Sequence, residues 1–153
     1  AQGVGAATVG MAMLNKYAAE IMASYSVNAC TDITGFGLLG HVSELAIASA
    51  VKVRIMSGAL PILPEAVEAA SMGLVPAGAY ANREYLTKVE FADTVAVAMR
   101  DVCFDPQTSG GLLISLPMAE ADSLVAELRQ AGIDVAAIIG RVEAEGKGEI
   151  YVE

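Results

Sequence analysis

The sequence predicts an α+β protein, a layered α/β molecule with helices packed on a mixed sheet. Three patterns carry that prediction. Apolar residues recur at three- and four-residue spacing in several segments, which marks helical stripes. Other segments alternate apolar and charged residues, which marks half-exposed strands. The strands are of both solitary and hairpin type, so no regular strand–helix–strand series runs through the chain. At 153 residues the chain is long enough for one domain with a real core.

The elements follow in order. Residues 1–5 form a loose lead-in. Met11, Leu14, Ala18, Ile21 and Tyr25 fall on one helical stripe. Val27 to Thr34 reads as a short extended segment. The Gly-rich turn Gly35-Phe36-Gly37 then opens a helix from about Leu38 to Ser49. Val51, Val53 and Ile55 alternate with Lys52 and Arg54, as in a half-exposed strand over Val51 to Met56. Pro61 and Pro64 break the chain before a short helix, Glu65 to Met72. Gly73 to Asn82 has no period and reads as a loop. Phe91, Val95, Ala98 and Val102 mark another helical stripe. Phe104 to Gly111 is irregular, and Leu112 to Leu116 is a strand. Pro117 starts a helix through about Ala131, with Leu124 and Leu128 facing inward, and Gly132 ends it. Val135 to Val142 is a strand, Glu145 to Gly148 a turn, and Glu149 to Val152 a last short strand.

Composition excludes several functions. Hydrophobic residues make up 55%, but 28 of the 153 are alanine. No stretch approaches the roughly 18–20 apolar residues of a membrane-spanning helix. The N-terminus lacks the basic-then-apolar order of a signal peptide. The chain opens on Ala1 rather than Met, as a trimmed protein or a piece of a longer one would. The net charge is −9, and the nine Lys and Arg are scattered. A nucleic-acid binder shows a basic patch instead. An acidic protein that handles phosphates does so through a divalent metal or backbone N–H groups. Cys30 and Cys103 stand far apart, with no Cys/His cluster, which fits a reducing cytoplasm rather than a zinc ribbon or disulfide scaffold. They read as inert, buried thiols. The one histidine, His41, reads as a packed, hydrogen-bonded side chain. No P-loop pattern occurs, and none of Lys16, Lys52, Lys88 and Lys147 lies in a Gly-rich loop.

Two segments are polar or Gly-rich where packing alone would prefer otherwise. They are Ala29-Cys30-Thr31-Asp32-Ile33-Thr34-Gly35-Phe36-Gly37-Leu38-Leu39-Gly40-His41 and Phe104-Asp105-Pro106-Gln107-Thr108-Ser109-Gly110-Gly111-Leu112-Leu113. Gly35, Gly37 and Gly40 match G-x-G-x-x-G, but the acidic residue of a dinucleotide site about 20 positions on is missing; Lys52 and Arg54 stand there instead. The glycines still allow close approach, and a helix start offers free N–H donors. Asp32 beside such a turn makes sense if a divalent cation sits between it and a phosphate. The other reading is that Asp32 or Thr34 caps the helix. The second segment is dense in turn formers. Thr108 and Ser109 could cap or donate to phosphate oxygens, or the whole segment is a tight turn feeding its strand.

Both segments closely resemble signatures of selenophosphate synthetase, also called selenide, water dikinase. Gly73-Leu74-Val75-Pro76-Ala77-Gly78, followed by Asn82-Arg83, is similar to that family's middle loop. The resemblance runs from about residue 11 to residue 152. It covers only the half shared with the C-terminal domain of aminoimidazole ribonucleotide synthetase, a layered structure partly like a ferredoxin fold. It thus implies that residues 1–153 form a single C-terminal domain. The N-terminal domain carries the family's catalytic Cys or selenocysteine, the neighbouring Lys and most ATP-holding aspartates, and none of these matches here. Cys30 and Cys103 do not match that cysteine. The resemblance implies an enzyme that makes selenophosphate from selenide, ATP and water, releasing AMP and phosphate. It implies Mg²⁺ ions in an inter-domain cleft, with Asp32 as this domain's metal ligand and Thr34, Gly35 and Gly37 near the phosphates. It further implies a cytoplasmic homodimer, with this piece inactive alone. A sister ATP-using enzyme of the same superfamily, or a non-catalytic binding or assembly module, is the alternative.

Overall fold

The computed structural model describes residues 2–153. Seven helices and six strands follow one another irregularly along them. They are α1 (Gln2–Ala12), α2 (Lys16–Met22), β1 (Ala29–Asp32), α3 (Gly37–Ala48) and β2 (Val51–Ile55). Then come α4 (Ala66–Ser71), α5 (Ala77–Tyr85), β3 (Val89–Phe91), α6 (Val97–Cys103) and β4 (Leu112–Ser115). The chain closes with α7 (Met118–Gln130), β5 (Gly140–Glu145) and β6 (Ile150–Val152). The α+β class with a mixed sheet is borne out.

The main sheet has the order β3-β6-β2-β5. β6 runs parallel to both its neighbours, pairing Ile150 with Val53 and Val89, and Val152 with Ile55 and Phe91. β5 runs antiparallel to β2 on the edge. A strand flanked on both sides is short of water, so β6 is apolar: Ile150 and Val152 are almost fully buried. Leu39 and Val42 of α3, Ile55, Cys103 and Phe104 join them in one core. α3 packs against β1, β2, β6, α5 and α6, and so lies at the centre of the molecule. β1 and β4 form a separate antiparallel ribbon, with Asp32 opposite Leu112.

Several elements differ from the sequence expectation. Residues 2–5 of the expected lead-in belong to α1, where the Thr8 hydroxyl donates to the Val4 carbonyl at 2.8 Å, and Ala1 lies outside the described residues. The predicted continuous stripe is two helices, because the chain turns at Met13, whose N–H donates to the Gly10 carbonyl. No described residue of α1 or α2 is buried, so this stripe has no core to face. Residues 77–85, read largely as loop, form α5. Pro76 precedes its first turn, where a missing N–H costs nothing, and Ala77, Ala79 and Ala81 favour helix. Phe91 ends the short strand β3, and the helix it was assigned to starts only at Val97. The strand expected at Val135 to Val142 starts at Gly140, and five of its six residues are exposed, three of them charged. β5 and β6 are not a hairpin, since β2 lies between them. The helix over 118–130 keeps Leu124 and Leu128 buried and ends before Gly132 at φ 88°, a left-handed position that suits glycine.

Candidate functional site

β1 delivers Asp32 to the end of the ribbon, where its side chain is exposed. Among the described residues its carboxylate accepts no hydrogen bond. The next residue, Ile33, is buried and anchors the loop in the core. The chain then turns through Thr34, Gly35 and Phe36 into α3. No side chain caps that helix, so neither Asp32 nor Thr34 serves as its cap.

The two segments singled out in the sequence are one structure. The Ile33 N–H donates to the Gly111 carbonyl at 2.9 Å, and the Gly110 N–H returns to the Ile33 carbonyl at 2.8 Å. The Gln107 N–H donates to the Thr34 carbonyl at 3.0 Å. Gly37 takes φ 68°, and a Cβ there would lie 2.9 Å from the carbonyl oxygens of both Phe104 and Asp105. Glycine is required at this position both by backbone angle and by contact. Gly37 is thus buried beneath the second segment, while Gly35 is exposed and Thr34 half-buried. The 104–111 turn does more than feed β4: it braces the loop that follows Asp32.

Two buried side chains complete the brace. The Thr34 N–H donates to His41 Nε2 at 3.0 Å, with the Thr34 hydroxyl 3.2 Å from the same nitrogen. An acceptor Nε2 means that Nδ1 carries the proton, and Nδ1 lies 3.0 Å from a Glu44 oxygen. His41 is the packed, bonded histidine that its setting in an apolar helix predicted. Asn82 of α5 donates through Nδ2 to the carbonyls of Gly35 and Phe104, each at 3.0 Å. Sequence reasoning gave Asn82 no site role. The only signal was its place after the Gly-Pro-Ala stretch, because nothing local shows that a helical Asn bridges two distant loops.

The G-x-G-x-x-G reading as a dinucleotide site is excluded by topology. Such a site needs the strands before and after the helix parallel in one sheet. Here β1 and β2 lie in different sheets. Cys103 is buried, as expected, but Cys30 is only half-buried. Burial pushes Cys103 up to about 12. Burial first, and then the Asp32 charge, raises Cys30. Burial also raises the Asp105 carboxyl above the usual carboxylate range.

Among the described residues no three His, Cys, Asp or Glu side chains gather to hold a metal ion. Asp32 is the exposed carboxylate at the edge of the braced glycine loop. Beside the loop, Phe36, Ser43, Glu44, Asn82 and Tyr85 line a groove of about 100 Å³ between α3 and α5. That is well below the roughly 300–1,000 Å³ of small-molecule pockets. A groove of about 340 Å³ between α2 and α7, lined by Tyr17, Glu20, Ile21 and Glu127, includes no residue of the two segments. The site is a braced wall and not an enclosed pocket. Among the described residues no helix is long and apolar enough to cross a membrane.

The family model described as AIR synthase related protein, C-terminal domain, matches residues 2–153, and the chain belongs to that family. Its curated relatives then narrow the comparison. The chain is 49% identical to the selenide, water dikinase of Pelobacter propionicus over 144 residues, which is 94% of this chain and 41% of that protein. It is 49% identical to the selenide, water dikinase of Clostridioides difficile over 143 residues, 93% of this chain and 40% of that protein. It is 44% identical to selenide, water dikinase 2 of Peptoclostridium acidaminophilum over 142 residues, 93% and 41%. The chain thus spans about two fifths of the length of the curated relatives it matches. The resemblance to selenophosphate synthetase is borne out by these matches.

Proposed function

We propose that this chain is the C-terminal domain of a selenide, water dikinase and forms one wall of its Mg·ATP cleft. The observation that carries the reading is Asp32: an exposed carboxylate with no hydrogen-bond partner among the described residues, fixed beside a loop that is braced from both sides. Phosphoryl transfer depends on positioning and charge neutralisation more than on covalent help from the protein. A bound Mg²⁺ would supply that neutralisation by bridging phosphate oxygens. Asp32 would provide one of its ligands, and the remaining ligands would come from the part of the protein this chain does not span. Gly35 sits on the outer side of the loop, near where the phosphates would lie, with the half-buried Thr34 beside it, and Gly37 sets the loop's shape beneath them. The catalytic Cys or selenocysteine and Lys belong to the N-terminal domain in this reading, and Cys30 and Cys103 have no part in the chemistry. In this reading the intact enzyme is a cytoplasmic homodimer that binds no nucleic acid; this chain's scattered cations and free thiols accord with the absence of nucleic-acid binding and with a reducing compartment.

Phosphorus NMR of the full-length protein with ATP and Mg²⁺, with and without selenide, tests this. Selenophosphate and AMP should appear only with selenide. ADP as the nucleotide product would move the chain to a sister enzyme, and no turnover would favour a binding module. Asp32→Asn should lower turnover at least 100-fold with an unchanged melting temperature, because the side chain holds nothing in the fold. Near-normal turnover in that variant would remove Asp32 from the metal site.

A further inference from the structure

We infer that Asn82 is a positioning residue, the pin that holds both signature loops in one geometry and so sets how well the site binds Mg·ATP. The inference rests on the site reading above. Asn82 is one of three buried polar residues in the molecule's described part, together with His41 and Ser43. Its single amide group donates to Gly35 and to Phe104, carbonyls 47 and 22 residues away in sequence. Neither carbonyl belongs to a strand ladder. A buried amide must find partners, and this one finds them only if the 33–37 loop and the 104–111 turn come together.

The geometry is specific. Gly35 is the residue whose carbonyl faces inward while its Cα position is open to solvent, with nothing within 4 Å of a Cβ there. Phe104 is the residue whose carbonyl also abuts Gly37. Asn82 therefore grips the loop at its exposed crest and the turn at its buried root. His41 holds the intervening Thr34 amide from the other side. Removing the Asn82 donors frees the crest without touching Asp32, Thr34 or the core strands.

The test uses Asn82→Asp, which keeps the volume and replaces both donors with acceptors, and Asn82→Ala, which removes them without repulsion. Hydrogen–deuterium exchange on the full-length protein reads the amides of Ile33, Thr34, Gln107 and Gly110. Those of the β2–β6 ladder serve as control. The expected result is at least tenfold faster exchange at the four loop amides and unchanged exchange in the ladder. In the kinetic arm, KM for Mg·ATP should rise at least fivefold, with kcat falling less than KM rises. Unchanged loop exchange would overturn the inference. So would equal acceleration of loop and ladder in both variants, since Asn82 would then serve the fold as a whole. A loosened loop with an unaltered KM would also overturn the positioning role. If the unsubstituted protein shows no selenide-dependent turnover, the functional reading fails. The exchange arm still decides whether Asn82 pins the loops.

Discussion

Gly37 is the residue on which the site's shape depends most directly. Its φ of 68° lies where a side chain costs about 1–2 kcal/mol. Its missing Cβ is the space that the Phe104 and Asp105 carbonyls occupy. Gly37→Ala should therefore lower unfolding free energy by about 2 kcal/mol or more, measured by urea denaturation, and should weaken Mg·ATP binding in the full-length protein. Cys103 offers a second residue-level check. It is 1% exposed, and its thiol titrates at about 12 because burial disfavours the thiolate. A thiol reagent at pH 8 should label Cys103 only as fast as the protein opens. The sign for stability follows from the raised value. The contribution is whole below the ordinary thiol value of 9.0 and is lost as pH rises from there towards about 12. A flat urea midpoint between pH 9 and 11 would argue against a buried neutral thiol.

At the level of elements, edge strand β5 is tied to β2 by an ion pair as well as by its ladder. Arg54 on β2 pairs with Glu143 on β5 and with Glu153 beyond β6, the latter at 2.8 Å, and its guanidinium lies 4.6 Å from the Tyr151 ring centre. The Arg54 hydrogen bond, more than any other influence, holds Glu143 below the usual carboxylate range. A depressed carboxyl stabilises above its ordinary pKa and loses that contribution as pH falls. The gap in urea midpoint between the parent protein and Glu143→Gln should be small at pH 7, as for exposed pairs generally, and should vanish by pH 3. A gap that widens on acidification would contradict the assignment. The same strand explains why part of the fold escaped sequence reading. Apolar periodicity finds faces turned to a core, and β5 turns Arg141, Glu143 and Glu145 mostly to solvent. β3 escaped because three residues are too few to show a period. α5 escaped because Gly78 and Pro76 look like loop signals, although Pro76 sits just ahead of the first turn where helices accept it. α7 and β6 were legible because each buries apolar residues at its own period, and α3, β2 and β4 because a glycine turn, an alternation of charge and an apolar run mark them in the sequence.

Across the whole molecule, the candidate site was legible as two segments but not as one body. Each segment stood out by composition; their mutual bonds at Ile33, Thr34, Gly110 and Gln107 depend on the β1–β4 pairing, which no local pattern records. Among the described residues no three His, Cys, Asp or Glu side chains gather as a metal site. The isolated chain should therefore bind Mg·ATP weakly, with a dissociation constant above about 1 mM by calorimetry, a binding energy of about 4 kcal/mol or less. Micromolar binding would show that the wall is a complete site.

The pairing of Asp32 with Leu112 has one more consequence. Successive residues of a strand point to opposite sides of the ribbon. A single-residue insertion within β1 that shifts its end against β4 would hand the outward place of Asp32 to Thr31, turn the carboxylate to the other face and displace Ile33 from its bonds to the second segment. The chemistry assigned to this wall is thus encoded in parity, in whether the count of residues between Ala29 and the loop is odd or even, as well as in which residue stands there.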